Sequence, residues 1–302
     1  MNKYLIPEGS LISFMSDKVK HFGGINLAQG LPGFSPPVAL LDFLSEISTD
    51  ISLQQYAPGN GDKRLLELIY SHYSKFSNYK QDNFVVVNGA TEAISIIFTY
   101  IYNLIDKPYS VLAFNPAYES YINLPKIFNL PYIPFSFEDD LTIDFNKLED
   151  TIKKEKVKLL FVNTPGNPLG KIWSENEINK IIELAEKLDV YIILDAVYKE
   201  IYFDKPPYLP YNYTGNRVFY VNSFSKLLSI TGWRIGYFYA GDTHIRKLKT
   251  IHDYIGLCSP SLLQKAIAGY IDNNDFGITY SAGLRQKINI SFKLLHTALI
   301  NK

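Results

Sequence analysis

The 302-residue chain has a single cysteine, Cys258, and no excess of either charge. One cysteine cannot form a disulfide within the chain, and its scarcity suits a reducing compartment, so a cytoplasmic protein is expected. Thirty basic residues balance thirty acidic residues, which argues against nucleic acid or a membrane surface as partner. The five histidines show no metal-ligand spacing, and no metal site is predicted.

Long apolar runs are also scarce. The longest, residues 93–105, contains three polar residues and falls short of the ~20 residues that a bilayer-spanning helix needs. The N-terminus lacks the basic-then-apolar pattern of a signal peptide. Since 47% of the residues are hydrophobic, the chain can nevertheless bury a large core.

Strand-like and helix-like segments alternate along the chain. This alternation predicts an α/β fold in which a mostly parallel sheet is covered by helices on both faces. Domain edges are predicted near Pro36 and Asp275, which gives an N-terminal segment 1–35, a large domain 36–275 and a C-terminal segment 276–302. Helices are predicted at 37–48, 61–76, from 90, 119–128, 145–156, 174–189, 242–256, 261–271 and 281–300, and strands at 84–87, 110–114, 159–162, 190–195, 217–222 and 234–240.

The segment around Lys226 is the most informative part of the sequence. The hydroxyl residues Ser223 and Ser225 flank this lysine, and Arg234 follows eight positions later between glycines. A lysine can hold an aldehyde as a Schiff base, while hydroxyls and a guanidinium hold a phosphate, which arginine grips bidentately. Pyridoxal 5'-phosphate (PLP) carries both groups. An ordinary loop with a surface lysine is the alternative.

A second feature is the apolar run at 191–194 that ends in Asp195. This pattern indicates a buried parallel strand, and ligands of open α/β sheets lie at the carboxyl ends of the strands. A carboxylate there can pair with a protonated pyridine nitrogen, which keeps the ring an electron sink. Tyr198 can reach the phenolic oxygen of the ring. Asp195 can also cap a following helix, and the two roles are compatible.

Two loops after predicted strands fit the same ligand. Gly89, Ala90 and Thr91 open an apolar helix, whose first N–H groups, with the Thr91 hydroxyl, would form a phosphate cradle. Asn167, in a loop rich in proline and glycine, would hydrogen-bond the cofactor oxygen and a substrate carboxylate. Each loop taken singly is equally typical of a plain turn.

In order and spacing, these residues resemble the class I and II aminotransferases of PLP fold type I. The resemblance runs from about Asn26 to the end of the chain. Gln29-Gly30 and the motif at 55–58 are most similar to the kynurenine, glutamine and methionine aminotransferase branch. The motifs that carry the resemblance lie at 26–32, 55–58, 89–93, 115–118, 163–168, 195–198 and 223–237.

The resemblance implies a PLP cofactor, amino-acid and 2-oxo-acid substrates, and a homodimer with shared sites. Lys226 would bind the cofactor covalently and move the Cα proton, and Asp195 would pair with the ring nitrogen. Tyr56 would reach the cofactor phosphate of the neighbouring subunit. For the remaining residues it implies ring contacts for Tyr118, Tyr198 and Asn167, phosphate contacts for Gly89, Ala90, Thr91, Ser223, Ser225 and Arg234, and substrate contacts for Gly30 and Asn167.

One departure from the family concerns the C-terminus. The family continues into a small domain whose arginine grips the substrate α-carboxylate, whereas no arginine follows Arg285 here. We therefore expect an incomplete small domain and poor transamination by this chain. A PLP-dependent lyase, another enzyme of Cα chemistry, or a catalytically impaired PLP-binding protein are the alternatives.

Overall fold

A computed structural model of the protein describes residues 9–30 and 32–300. The chain divides into two compact units that meet in sequence between Phe34 and Ser35. The first unit contains helix α1 (Leu11–Phe22), which Ser10 caps by accepting the N–H of Ser13 at 3.3 Å. The sequence analysis did not predict this helix. Leu31, in the motif at 26–32, lies outside the described residues.

The second unit is built on a seven-stranded sheet with the order β1-β7-β6-β5-β4-β2-β3. Strands β2 to β6 pair in parallel, and β7 is antiparallel to both of its neighbours. The mostly parallel sheet is thus confirmed. Its strands are β1 (Phe84–Val87), β2 (Ser110–Asn115), β3 (Tyr132–Ser136), β4 (Val157–Asn163), β5 (Tyr191–Asp195), β6 (Val218–Ser223) and β7 (Gly236–Tyr239).

Ten helices follow in the described part of this unit, and most start or end within a few residues of the predicted limits. The last begins at Ile278, three residues before the predicted start at Ser281. The helices are α2 (Val38–Ile47), α3 (Lys63–Tyr73), α4 (Ala90–Leu104), α5 (Glu119–Ile127), α6 (Phe145–Lys154), α7 (Glu175–Leu188), α8 (Phe224–Leu227), α9 (Asp242–Ile255), α10 (Ser261–Asn273) and α11 (Ile278–Ile300).

Alternate residues of the strands enter two separate apolar cores, one on each face of the sheet. On β4, Leu159 and Phe161 pack on the side of α4, whereas Leu160 and Val162 pack on the opposite side. Both faces are therefore buried, as a parallel sheet requires. The carboxyl ends of β4, β5 and β6 come together at one end of the sheet.

Within residues 9–30 and 32–300, no helix combines the length and the apolar character that crossing a membrane requires.

Candidate active site

The loop from β1 to α4 places backbone N–H groups beside a guanidinium. Gly89 has φ +79°, a conformation that favours glycine, and an added Cβ would lie 2.3 Å from Nη2 of Arg234. The first N–H groups of α4, at Ala90 and Thr91, have no acceptor within the helix. A helix N-terminus next to an arginine is suited to bind an anion such as phosphate.

Arg234 is held against this loop by the start of β7. Its Nη1 donates to the carbonyl of Thr231 at 3.0 Å, and Nη2 donates to the carbonyl of Asn88 at 3.4 Å. At Gly236, an added Cβ would lie 2.8 Å from the carbonyl carbon of Gly89 and 2.9 Å from the nitrogen of Ala90. A side chain at this position would therefore push β7, and Arg234 with it, away from the loop.

Lys226 lies in the short helix α8 directly after β6. Its Nζ is 5.5 Å from the ring centroid of Tyr198. Burial, and secondly the positive charge of Arg234, lower the pKa of Lys226. A lower pKa increases the fraction of neutral amine, which is the form that attacks an aldehyde.

The two serines that precede Lys226 are buried and bound to their surroundings. Ser223 Oγ lies 2.8 Å from Ser225 Oγ and 3.0 Å from the carbonyl oxygen of Ile235, and it accepts the N–H of Ser225 at 3.1 Å. These contacts fix the turn from β6 into α8. A phosphate contact of either serine remains a prediction.

Asp195, at the carboxyl end of β5, is a carboxylate with 4% exposure. Burial raises its pKa to about 6, although hydrogen bonds from the Tyr121 hydroxyl at 2.6 Å and the Val197 N–H at 3.1 Å favour the charged form. A turn follows Asp195 rather than a helix, so the expected helix cap is wrong. The Val197 bond closes this turn instead.

Tyr121 was missed by the sequence analysis. It is 3% exposed, its ring stacks on Phe161 at a centroid distance of 4.5 Å, and it meets Tyr118 edge-on at 5.5 Å. Its spacing of three residues from Tyr118 is the one signal in the sequence. Residues three apart share a helix face, but an aromatic there is equally typical of the core.

Tyr118, Tyr198 and Asn167 lie around Asp195. Burial raises the pKa of Tyr198 to about 12, and the nearby Asp195 and Tyr118 add to this effect. The N–H of Asn167 donates to Oδ1 of Asn163 at 2.6 Å, and Nδ2 of Asn163 donates to the carbonyl of Asp195 at 2.9 Å. Asn163 thereby connects the loop after β4 to the end of β5.

The contacts expected of two further residues stay predictions. Gly30 belongs to the first unit, so its contact with the substrate stays a prediction. Tyr56 is 84% exposed, in the loop after the 3₁₀ turn Ile51–Gln54, and its reach into a neighbouring subunit also stays a prediction. Arg285 donates to the carbonyl of Glu200 at 2.9 Å and lies over the ring of Tyr202.

The chemistry of the group fits pyridoxal phosphate. Asp195 accepts hydrogen bonds from two neutral donors, the Tyr121 hydroxyl and the Val197 N–H, and a protonated ring nitrogen would supply a cation to this buried carboxylate. The Gly89 loop with Arg234 would hold the phosphate, and Lys226 the aldehyde. No cluster of three or more metal-ligating side chains occurs in the described ranges.

Comparison with known proteins gives a consistent result. The family "Aminotransferase class I and II" matches residues 23–302. A probable aspartate aminotransferase of Methanocaldococcus jannaschii is 33% identical over 248 residues, which are 80% of this chain and 64% of that protein. A probable kynurenine–oxoglutarate transaminase of Saccharomyces cerevisiae is 29% identical over 294 residues, or 89% of this chain and 64% of the relative. The chain thus spans less than two thirds of the length of these relatives.

Solved structures share the fold. N-succinyldiaminopimelate aminotransferase from Mycobacterium tuberculosis is 25% identical, with a TM-score of 0.87 over 97% of this chain and 77% of that chain. The aspartate aminotransferase of Thermus thermophilus is 19% identical, with a TM-score of 0.88 over 97% of this chain and 78% of that one. The expected fold type I is confirmed. From the match over residues 23–302 and the 33% identity, the chain belongs to the class I and II aminotransferases, a PLP-dependent family.

Proposed function

We propose that the protein binds PLP through Lys226 and transfers an amino group between an L-amino acid and a 2-oxo acid. The observation that carries this proposal is the convergence of Lys226, the buried Asp195 and the Arg234–Gly89 contact at one edge of the sheet. The single cysteine agrees with a cytoplasmic location.

The side chains divide the work between binding and proton transfer. Bound PLP supplies an electron sink for the charge that develops at the substrate Cα. Asp195 would hold the proton on the ring nitrogen, and the hydroxyl of Tyr198 and the amide of Asn167 would bind the ring oxygen. Tyr118 would contact the ring. The Nζ of Lys226, neutral more often because of its lowered pKa, removes the proton from the substrate Cα.

We propose further that two copies of the chain form a dimer with shared sites. Tyr56, Tyr254 and Leu257 are exposed, and the Ser261 hydroxyl donates to the carbonyl of Gln55 at 2.5 Å, which ties the Tyr56 loop to the start of α10. An added Cβ at Gly59 would lie 3.4 Å from the carbonyl of Leu257, so the loop also runs beside the end of α9. An apolar surface of this kind commonly marks an interface.

Amino-group transfer is tested by following both products. The PLP-loaded protein is mixed with 2-oxoglutarate and with methionine, kynurenine or aspartate, the donors that the names of its relatives suggest. Transfer predicts equal amounts of glutamate and of the 2-oxo acid of the donor. Ammonia and a 2-oxo acid without glutamate would indicate a lyase instead. Tight PLP binding without either product from any donor would indicate an impaired binding protein.

A further inference from the structure

Glu92, in the first turn of α4, turns its carboxylate back toward the loop that precedes the helix. Oε2 accepts the backbone N–H of Asn88 at 2.5 Å, and Oε1 accepts the side-chain Nδ2 of Asn88 at 3.3 Å. One carboxylate therefore fixes both the backbone and the side chain of Asn88. The carbonyl of the same residue accepts Nη2 of Arg234, so Asn88 connects Glu92 to the guanidinium.

The surroundings of Glu92 hold its carboxylate in place. An added Cβ at Gly256, after α9, would lie 2.0 Å from Oε1 of Glu92, so the backbone packs directly on this carboxylate. On the same side, Nε2 of His252 lies 3.8 Å from Oε2, and this histidine is 1% exposed. Burial lowers the pKa of His252 against the opposing effects of Glu92 and Asp253. The histidine is therefore mainly neutral at neutral pH.

We infer that Glu92 is a positioning residue, which holds the Asn88–Ala90 loop and Arg234 in the arrangement that binds a phosphate group. This inference rests on the proposed PLP function. Glu92 itself would not bind the phosphate. It binds the N–H groups of Asn88, while the N–H groups at Ala90 and Thr91 remain for the anion, since the first turn of a helix has no internal acceptor for them.

The negative charge of Glu92 repels a phosphate, whereas its contacts with Asn88 hold the phosphate-binding loop in place. Two N–H donors of Asn88 and the N-terminal end of α4 offset the charge where it lies. Loss of the carboxylate would release Asn88, and with it the acceptor of Arg234. Misplaced donors lose the geometric specificity of a bidentate contact, so we expect positioning to outweigh repulsion.

The inference is tested by the difference between two ligands that share an aldehyde. Dissociation constants of the apoprotein are measured by absorbance for PLP and for pyridoxal, which lacks the phosphate. Glu92→Ala should raise the dissociation constant for PLP about tenfold, the equivalent of about 1.4 kcal/mol, and change that for pyridoxal less than about twofold. Glu92→Gln keeps one acceptor oxygen without the charge, and its loss of PLP affinity should be intermediate.

Matched controls separate positioning from general stability. Glu175→Ala removes an exposed acidic residue from the first turn of α7, so it alters a helix N-terminus without touching the loop. It should leave both constants unchanged. If Glu92→Gln weakens the binding of PLP and of pyridoxal by the same factor, the role of Glu92 is merely structural. Tighter PLP binding by both Glu92 variants would show that the repulsion between Glu92 and the phosphate dominates. Wild-type protein that binds no PLP would instead overturn the proposed function.

Discussion

At Asp195, burial and charge oppose each other. Its carboxylate is 4% exposed and receives two hydrogen bonds, yet burial still raises its pKa to about 6. A buried charge without an oppositely charged partner is costly. Carboxyl groups whose pKa is perturbed in this way are concentrated at functional sites. A cationic ligand ring would offset that cost. Asp195 therefore affects both the stability of the protein without the cofactor and its function with the cofactor bound.

Substitution of Asp195 should change how stability without the cofactor depends on pH. The native pKa of about 6 lies above the ordinary 3.8, so the stabilising contribution is present below pH 3.8 and is lost as the pH rises to about 6. Asparagine does not titrate. The unfolding free energy of the wild type minus that of Asp195→Asn should therefore fall by about 1 kcal/mol between pH 5 and 7.5. Urea unfolding followed by circular dichroism measures it, and a difference independent of pH would refute the assignment.

Tyr121→Phe should remove a hydrogen bond that matters mainly when Asp195 is ionised. We expect destabilisation of about 1–2 kcal/mol at pH 7.5 and a smaller loss at pH 5, because the hydroxyl favours the charged carboxylate. Tyr109→Phe is the control, since this buried hydroxyl has no hydrogen-bond partner among the described residues. It should be neutral or stabilising. Equal losses in Tyr121→Phe at both pH values would exclude the proposed coupling.

At this scale the sequence indicates the chemically distinctive residues as candidates, but not the residues that support them. Lys226 and Asp195 are candidates because a lysine between serines and an acid at the end of an apolar run are uncommon in a plain loop, and their roles stay predictions. Tyr121 and Glu92 belong to helices in which an aromatic or an acid is ordinary. The role of Tyr121 depends on its contact with Asp195, which lies 74 positions away in the sequence. The role of Glu92 depends on the direction of its side chain, which points back to Asn88.

At the scale of elements, strong local patterns predicted structure well. The helix predicted at 174–189 is confirmed as α7, and Ser174 and Glu177 form a capping box at its start. Strand β3 was missed because it is an edge strand that contains Pro134 and buries only Phe135 among its residues. Helix α1 was missed because none of its residues is buried, so it carries no core-facing signal. The antiparallel direction of β7 depends on pairing and was not predictable from its own residues.

The start of β7 should tolerate no added methyl group. In Gly236→Ala, the Cβ would meet three backbone atoms within 3 Å, two of them in the phosphate-binding loop. We expect a loss of about 1–3 kcal/mol in unfolding free energy together with weaker PLP binding. Gly283→Ala, in α11 with no atom within 4 Å of the added Cβ, should instead stabilise the protein by up to about 1 kcal/mol. Wild-type stability and PLP affinity in Gly236→Ala would contradict this packing argument.

At the scale of the whole molecule, the proposed dimer predicts that Tyr56 acts on the site of the neighbouring copy. Sedimentation should show a dimer, the commonest homo-oligomer. Tyr56→Phe should weaken PLP binding without changing the dimer, since only a hydroxyl is removed. Tyr254→Phe, at an equally exposed tyrosine, is the control and should leave the PLP affinity unchanged. A stable wild-type monomer that holds PLP tightly would refute the shared site.

Borohydride reduction shows which lysine carries the cofactor. The protein is loaded with PLP, reduced so that the Schiff base becomes a stable secondary amine, digested and mapped by mass spectrometry. We expect one labelled peptide, with the label on Lys226, and no label at that position in Lys226→Arg. Stoichiometric label on another lysine, such as the partly buried Lys199, or no label after PLP is supplied, would refute this role of Lys226.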